Sequence, residues 1–176
     1  MRSVTTLLTL LVILGPLPAA AQGPPAYPRD EEVKNYRLSM PKLHRLVEVQ
    51  RQLNAVHASN PAPFDKMDGE MAAEAKKKGA PLTSAQRAAV IDRYPEVRRV
   101  LTGAGTTTRD WVLTSEAMGD AHVALEVKKG TLPPEAAGSP PTTTAQKANV
   151  ALLEKNQAEW QKILQELERL GDELLQ

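Results

Sequence analysis

Between its clusters of proline and glycine, every long segment of this chain repeats apolar residues at intervals of three and four, and none sustains the alternation of a half-buried strand. That spacing predicts an all-α helical bundle. From Met40-Pro41 onward Leu43, Leu46, Val47, Leu53 and Val56 line one side of a helix running to about His57, with Ser39 at the cap position and Asn60-Pro61-Ala62-Pro63 as its end. A second helix is predicted over 65–78, with Phe64, Met67, Met71 and Ala75 on one side and Lys76, Lys77 and Lys78 in its last turn, where cations complement the helix dipole. A third starts at Thr83 or Ser84, is broken or kinked at Pro95 and continues through Val97, Val100 and Leu101.

The fourth helix, capped by Thr107 or Thr108, carries Trp111, Thr114, Met118, Ala121 and Leu125 in one stripe and Val112, Val123 and Val127 on another side. A helix apolar over more than half its circumference belongs in the middle of a bundle. The stretch from Gly130 to Pro141 holds too many breakers for a regular element. A single fifth helix is then expected over 144–175, with Val150, Leu153, Trp160, Leu164, Leu167 and Leu174 near heptad spacing. Ile163 and Leu170 lie beside that stripe, a surplus that suits burial against two neighbouring helices or against a second copy, so a homodimer through the C-terminal helix is a candidate. The expected organisation is thus about five helices in one domain, residues 39–176, after a flexible lead-in over 22–38 that contains Pro24, Pro25 and Pro28.

The N-terminus has the layout of a secretory signal peptide. One cation, Arg2, precedes an apolar run from Val4 to Leu14, a Gly15-Pro16 break and the small residues Ala19 and Ala21. The run is too short for a membrane span. Cleavage after Ala21 is expected, with no stable membrane insertion afterwards and a destination in the periplasm or outside the cell. It would remove Arg2 from the 22 Lys and Arg, leaving them equal in number to the 21 Asp and Glu. A formally neutral chain gives no footprint for nucleic acid. The absence of cysteine excludes disulfides, thiolate metal sites and a cysteine nucleophile, so stability must come from helix packing.

No nucleophile elbow, phosphate loop or His-Glu-x-x-His motif is present, so no catalytic residue, cofactor or metal site is assigned. Gly103-Ala104-Gly105 reads as a turn between helices. His44 with Glu48 and His122 with Glu126 are four apart and share a helix face, a spacing that two helices can use to hold a metal. His44 and Glu48, however, point away from the apolar stripe, and His122, on the Trp111, Met118 and Leu125 side, suits a buried, hydrogen-bonded core position better than a ligand's. Methionines such as Met67 and Met71 fill irregular cores more often than they bind copper. Glu116 and Asp120 fall on the most apolar helix, where a buried carboxylate needs a partner, with Arg109 or a lysine as the nearest choices. Trp111, His122 and Trp160 are the candidate ligand-binding residues, because both indoles lie on the helices with the strongest stripes.

The order Leu82-Thr83-Ser84-Ala85-Gln86, Tyr94-Pro95-Glu96-Val97, Gly103-Ala104-Gly105, then Arg109-Asp110-Trp111, with Asn149-Val150 later, resembles a family of exported helical bacterial proteins without an assigned activity. The resemblance spans residues 82–160. It implies a helical exported protein and carries over no substrate or catalytic residue. Together these features favour a binding or interaction module. A small-molecule or metal-binding bundle is the first alternative, and an enzyme with an unrecognised carboxylate site at Glu116 and Asp120 is the second.

Overall fold

The structure, a computed structural model, describes residues 30–138 and 140–174; the expected signal peptide, residues 1–21, lies outside them. The described chain is all-helical, with no strand among the described residues. It has eight α-helices: α1 (Glu31–Asn35), α2 (Met40–Ser59), α3 (Ala62–Lys78), α4 (Ser84–Ile91), α5 (Pro95–Gly103), α6 (Thr108–Lys129), α7 (Thr144–Lys155) and α8 (Gln157–Glu173). Three differences separate this count from the expected five.

The first is Pro95, which starts α5 at a position where its missing N–H costs nothing and so divides the third segment in two. The second is Asn156. Its backbone leaves helical geometry (φ −110°, ψ 35°), and its Nδ2 donates to the Leu152 carbonyl at 2.8 Å. An asparagine side chain competing for helix carbonyls is a known source of interruption, and here it turns the expected single C-terminal helix into α7, packed along α6, and α8, packed along α2. The third is α1, in a segment whose prolines suggest a lead-in. Residues 30–38, called the strap below, lie on the bundle with Val33 and Leu38 buried. A short 3-10 turn, Pro134–Ala137, also forms inside the loop after α6, where no regular element was expected.

The helix ends follow side-chain chemistry. Thr83 with Gln86 and Thr143 with Gln146 each form a capping box, and Thr107 accepts from the Asp110 N–H. Ser39 sits at the α2 cap but makes no side-chain cap bond. Gly130 ends α6 at φ +76°, the left-handed region that a Cβ disfavours. Replacing Gly130 by alanine is expected to cost about 1–2 kcal/mol, read as a lower urea midpoint with an unchanged slope.

Two apolar clusters form the core. One gathers Leu43 and Leu46 of α2, Leu113 and Leu125 of α6, Leu153 of α7 and Trp160 and Leu167 of α8. The other gathers Val49 and Leu53 of α2, Phe64 of α3, Ile91 of α4, Leu101 of α5 and Val112 of α6. Helices α2 and α6 contribute to both, which is why the apolar residues of α6 spread around its circumference. Ile163 and Leu170, the apparent surplus of the C-terminal helix, are buried at 4% and 1% exposure within this chain, so the basis for a dimer through that helix is already used. No helix among the described residues is long and apolar enough to cross a membrane.

Candidate functional site

The three candidate ligand residues do not form one pocket. Trp160 is fully buried, and its ring lies 5.5 Å from that of His122, tilted by 57°. Burial pushes the His122 imidazole below its ordinary pKa, with Lys129 acting in the same direction and Glu126 opposing, so the ring packs against Trp160 as a neutral group. Trp111 lies eleven residues earlier on α6, ~16 Å along the axis at 1.5 Å per residue. It packs between the two apolar clusters and borders a shallow cleft with Lys42, Arg45, Thr106, Asp110 and Thr114. That cleft and one between Val33, Ala121 and Val150 each have a volume of about 10 Å³, room for one water.

Beside the Trp111 cleft the strap meets α6. Tyr36 donates its hydroxyl hydrogen to Asp110 Oδ1 at 2.5 Å and accepts from Lys42 Nζ at 2.6 Å; Lys42 also reaches Asp110 at 3.0 Å. The Lys42 ammonium lies 4.1 Å from the Tyr36 ring centre. Burial, reinforced by the Asp110 bond, raises the Tyr36 pKa. For Asp110 burial works the other way from its bonds, and the hydrogen bonds from Tyr36 and Lys42 win, holding the carboxyl below the usual range. The trio is therefore a fixed ammonium, carboxylate and neutral phenol. It fastens the strap and leaves no group poised to move a proton near neutral pH. Uncommitted groups remain at the rim: Arg45 is exposed without an ion-pair partner among the described residues, and the buried Trp111 Nε1 has no acceptor among them.

Glu116 has a partner, though neither Arg109 nor a lysine. Arg87 of α4 holds its Oε1 through Nε at 3.1 Å and Nη2 at 2.5 Å, while Arg109 binds Glu32 of the strap at 2.7 and 2.6 Å. Asp120 lies one turn further along α6, half-buried at the other cleft. His44 is exposed, as its place on the helix implies, and bonds Glu159 of α8 at 2.5 Å instead of Glu48. The two His-Glu pairs do not converge; among the described residues no three His, Asp or Glu side chains lie close enough to hold a metal ion.

No family model, curated protein or solved structure matches this chain.

Sequence reasoning passed over Tyr36 and met Asn149 only as part of the Asn149-Val150 motif, without a role. Asn149 is buried, accepts from the Leu38 N–H and donates to the Tyr36 carbonyl, each at 2.9 Å. The available signal was small: an aromatic and a leucine two apart in the proline-free half of the lead-in.

Proposed function

We propose that this protein is an exported helical module, working in the periplasm or outside the cell, that binds a partner across its surface and performs no chemistry of its own. The observation that carries the reading is the rim beside Trp111, where Lys42 and Asp110 neutralise each other while the exposed Arg45 has no ion-pair partner among the described residues. The exposed Arg45 places one uncommitted positive charge on this edge, beside the partly exposed Trp111 ring, a combination suited to an acidic group on a partner. Export rests on residues 1–21 and on the resemblance over 82–160. A ligand held inside the bundle is the weaker reading, because each cleft has room for about one water.

The test places a photo-reactive amino acid at position 45 in the full chain, expressed in its native envelope, with position 135 on the exposed loop as the control. A reproducible adduct from position 45, competed away by excess unlabelled protein and absent from position 135, is the expected result. Equal labelling from both positions overturns the rim as a contact. N-terminal sequencing of the same material should begin at Gln22, and an unprocessed chain overturns export.

A further inference from the structure

The strap is tied to α4 and α6 by a group of four side chains that carries more negative charge than the fold neutralises. Asp30 caps two helices at once. Its Oδ1 accepts from the Val33 N–H of α1 at 3.1 Å, and its Oδ2 accepts from the Ser84 N–H of α4 at 2.8 Å. The same Oδ2 lies 2.8 Å from Ser84 Oγ, and Glu116 Oε2 lies 3.0 Å from that oxygen on the other side. Ser84 is wholly buried. A serine hydroxyl has one hydrogen, so it serves one of these two carboxylates and presents a lone pair to the other. The charges that face Glu116 are the Arg87 guanidinium from α4 and the Asp30 carboxylate from the strap. Two carboxylates and one guanidinium leave a net negative charge around a buried hydroxyl, an arrangement that favours uptake of a proton.

We propose that the docked strap holds one additional proton on Glu116 Oε2, which donates to Ser84 Oγ while Ser84 donates to Asp30, so that strap docking is linked to proton uptake. This arrangement gives each short contact one hydrogen, and Arg87 continues to bind Glu116 Oε1. Proton affinities follow the same division. Burial raises the Glu116 pKa above the ordinary carboxylate range, with Arg87 opposing. For Asp30 burial is outweighed by the hydrogen bonds from Ser84 and Val33, which hold it below that range. The signs give a window. The Glu116 contribution is full below its unfolded pKa and is lost as pH rises through its folded value. The Asp30 contribution is full above its unfolded pKa and is lost as pH falls through its folded value. The strap is held most tightly between the two folded values and loosens as Glu116 ionises.

The experiment follows the Glu116 side-chain carboxyl carbon by NMR across pH in the full chain, assigned by its disappearance in Glu116→Gln. The expected midpoint lies above the ordinary glutamate range, and the amide signals of Val33 and Ser84, both donors to Asp30, follow the same curve. In Asp30→Asn the Glu116 midpoint should move down, because the facing carboxylate is gone while the burial of Glu116 remains. In Glu116→Gln, whose amide reproduces the donor of the protonated acid, the two amides should lose that transition. A Glu116 midpoint within the ordinary range in the unaltered protein overturns the proposal, and there the carbon is also assignable by through-bond correlation to its own backbone, so this readout does not depend on a variant's folding. A raised midpoint that Asp30→Asn leaves unchanged also overturns it, because burial alone would then be the cause.

Discussion

Replacing Trp160 by alanine is expected to cost about 3–5 kcal/mol, the range for removing a large aromatic side chain from a packed core. Trp160 is 1% exposed and lies at the start of α8, where its N–H closes onto the Asn156 carbonyl across the helix break at 2.8 Å. Its indole packs in the cluster that includes Leu43, Leu125 and Leu153, and its ring lies against that of His122 at a 57° tilt. A packed core relaxes only partly around such a gap, so the cavity term adds to the lost transfer energy. Domains of this size carry about 5–15 kcal/mol in total, and each kcal/mol is about 2–4 °C of melting temperature for 150–250 residues. A fall of about 10 °C follows, measured by calorimetry or circular dichroism. Trp160→Phe should recover most of it by keeping a ring against His122. A shift below ~2 °C for the alanine variant would show that Trp160 is not part of the core.

The helices were legible where periodicity and caps acted together. The α6 stripes, Thr107 as its cap and Gly130 as its end are local signals, and they place that helix between both clusters. The break at Asn156 was illegible because the apolar pattern runs through it without a change of phase, and a single asparagine is a weak signal against a continuous stripe. The strap was illegible for a different reason: five helical residues have no period to read. Its docking depends on partners 54 to 113 residues away, including Ser84, Asp110 and Asn149. The arrangement of the candidate ligand residues was legible only in part, with His122 and Trp160 in contact and Trp111 apart from them. Trp111, His122 and Trp160 share strong stripes, but a stripe gives the side of a helix and says nothing of the distance along its axis. Glu116 was correctly singled out as a carboxylate in need of a partner, whereas the choice of Arg87 over Arg109 depends on how α4 crosses α6, which no local pattern encodes.

Asn149→Ala is expected to release the strap while leaving the rest of the bundle folded. The side chain is 3% exposed and satisfies two backbone groups of the strap together, the Leu38 N–H through Oδ1 and the Tyr36 carbonyl through Nδ2. Alanine leaves both without their partner, at about 1–3 kcal/mol for each buried unsatisfied group. The strap need not bear that cost in place, because it can detach. Its apolar hold is limited to Val33, Leu38 and the half-buried Tyr36, and its remaining ties are polar. The loss should therefore appear locally. Hydrogen exchange at Leu38 should accelerate about 30- to 1,000-fold, the equivalent of about 2–4 kcal/mol at 1.4 kcal/mol per tenfold. Exchange at Leu125 and Leu153, in the core beneath, should change far less. Asn149→Asp provides the sharper comparison. It keeps the shape and the acceptor for Leu38 but turns an oxygen toward the Tyr36 carbonyl, so it should release the strap at least as fully as alanine. An aspartate variant that retains slow exchange at Leu38 would mean that donation from Asn149 to the Tyr36 carbonyl is not needed to hold the strap, and its other ties would then suffice.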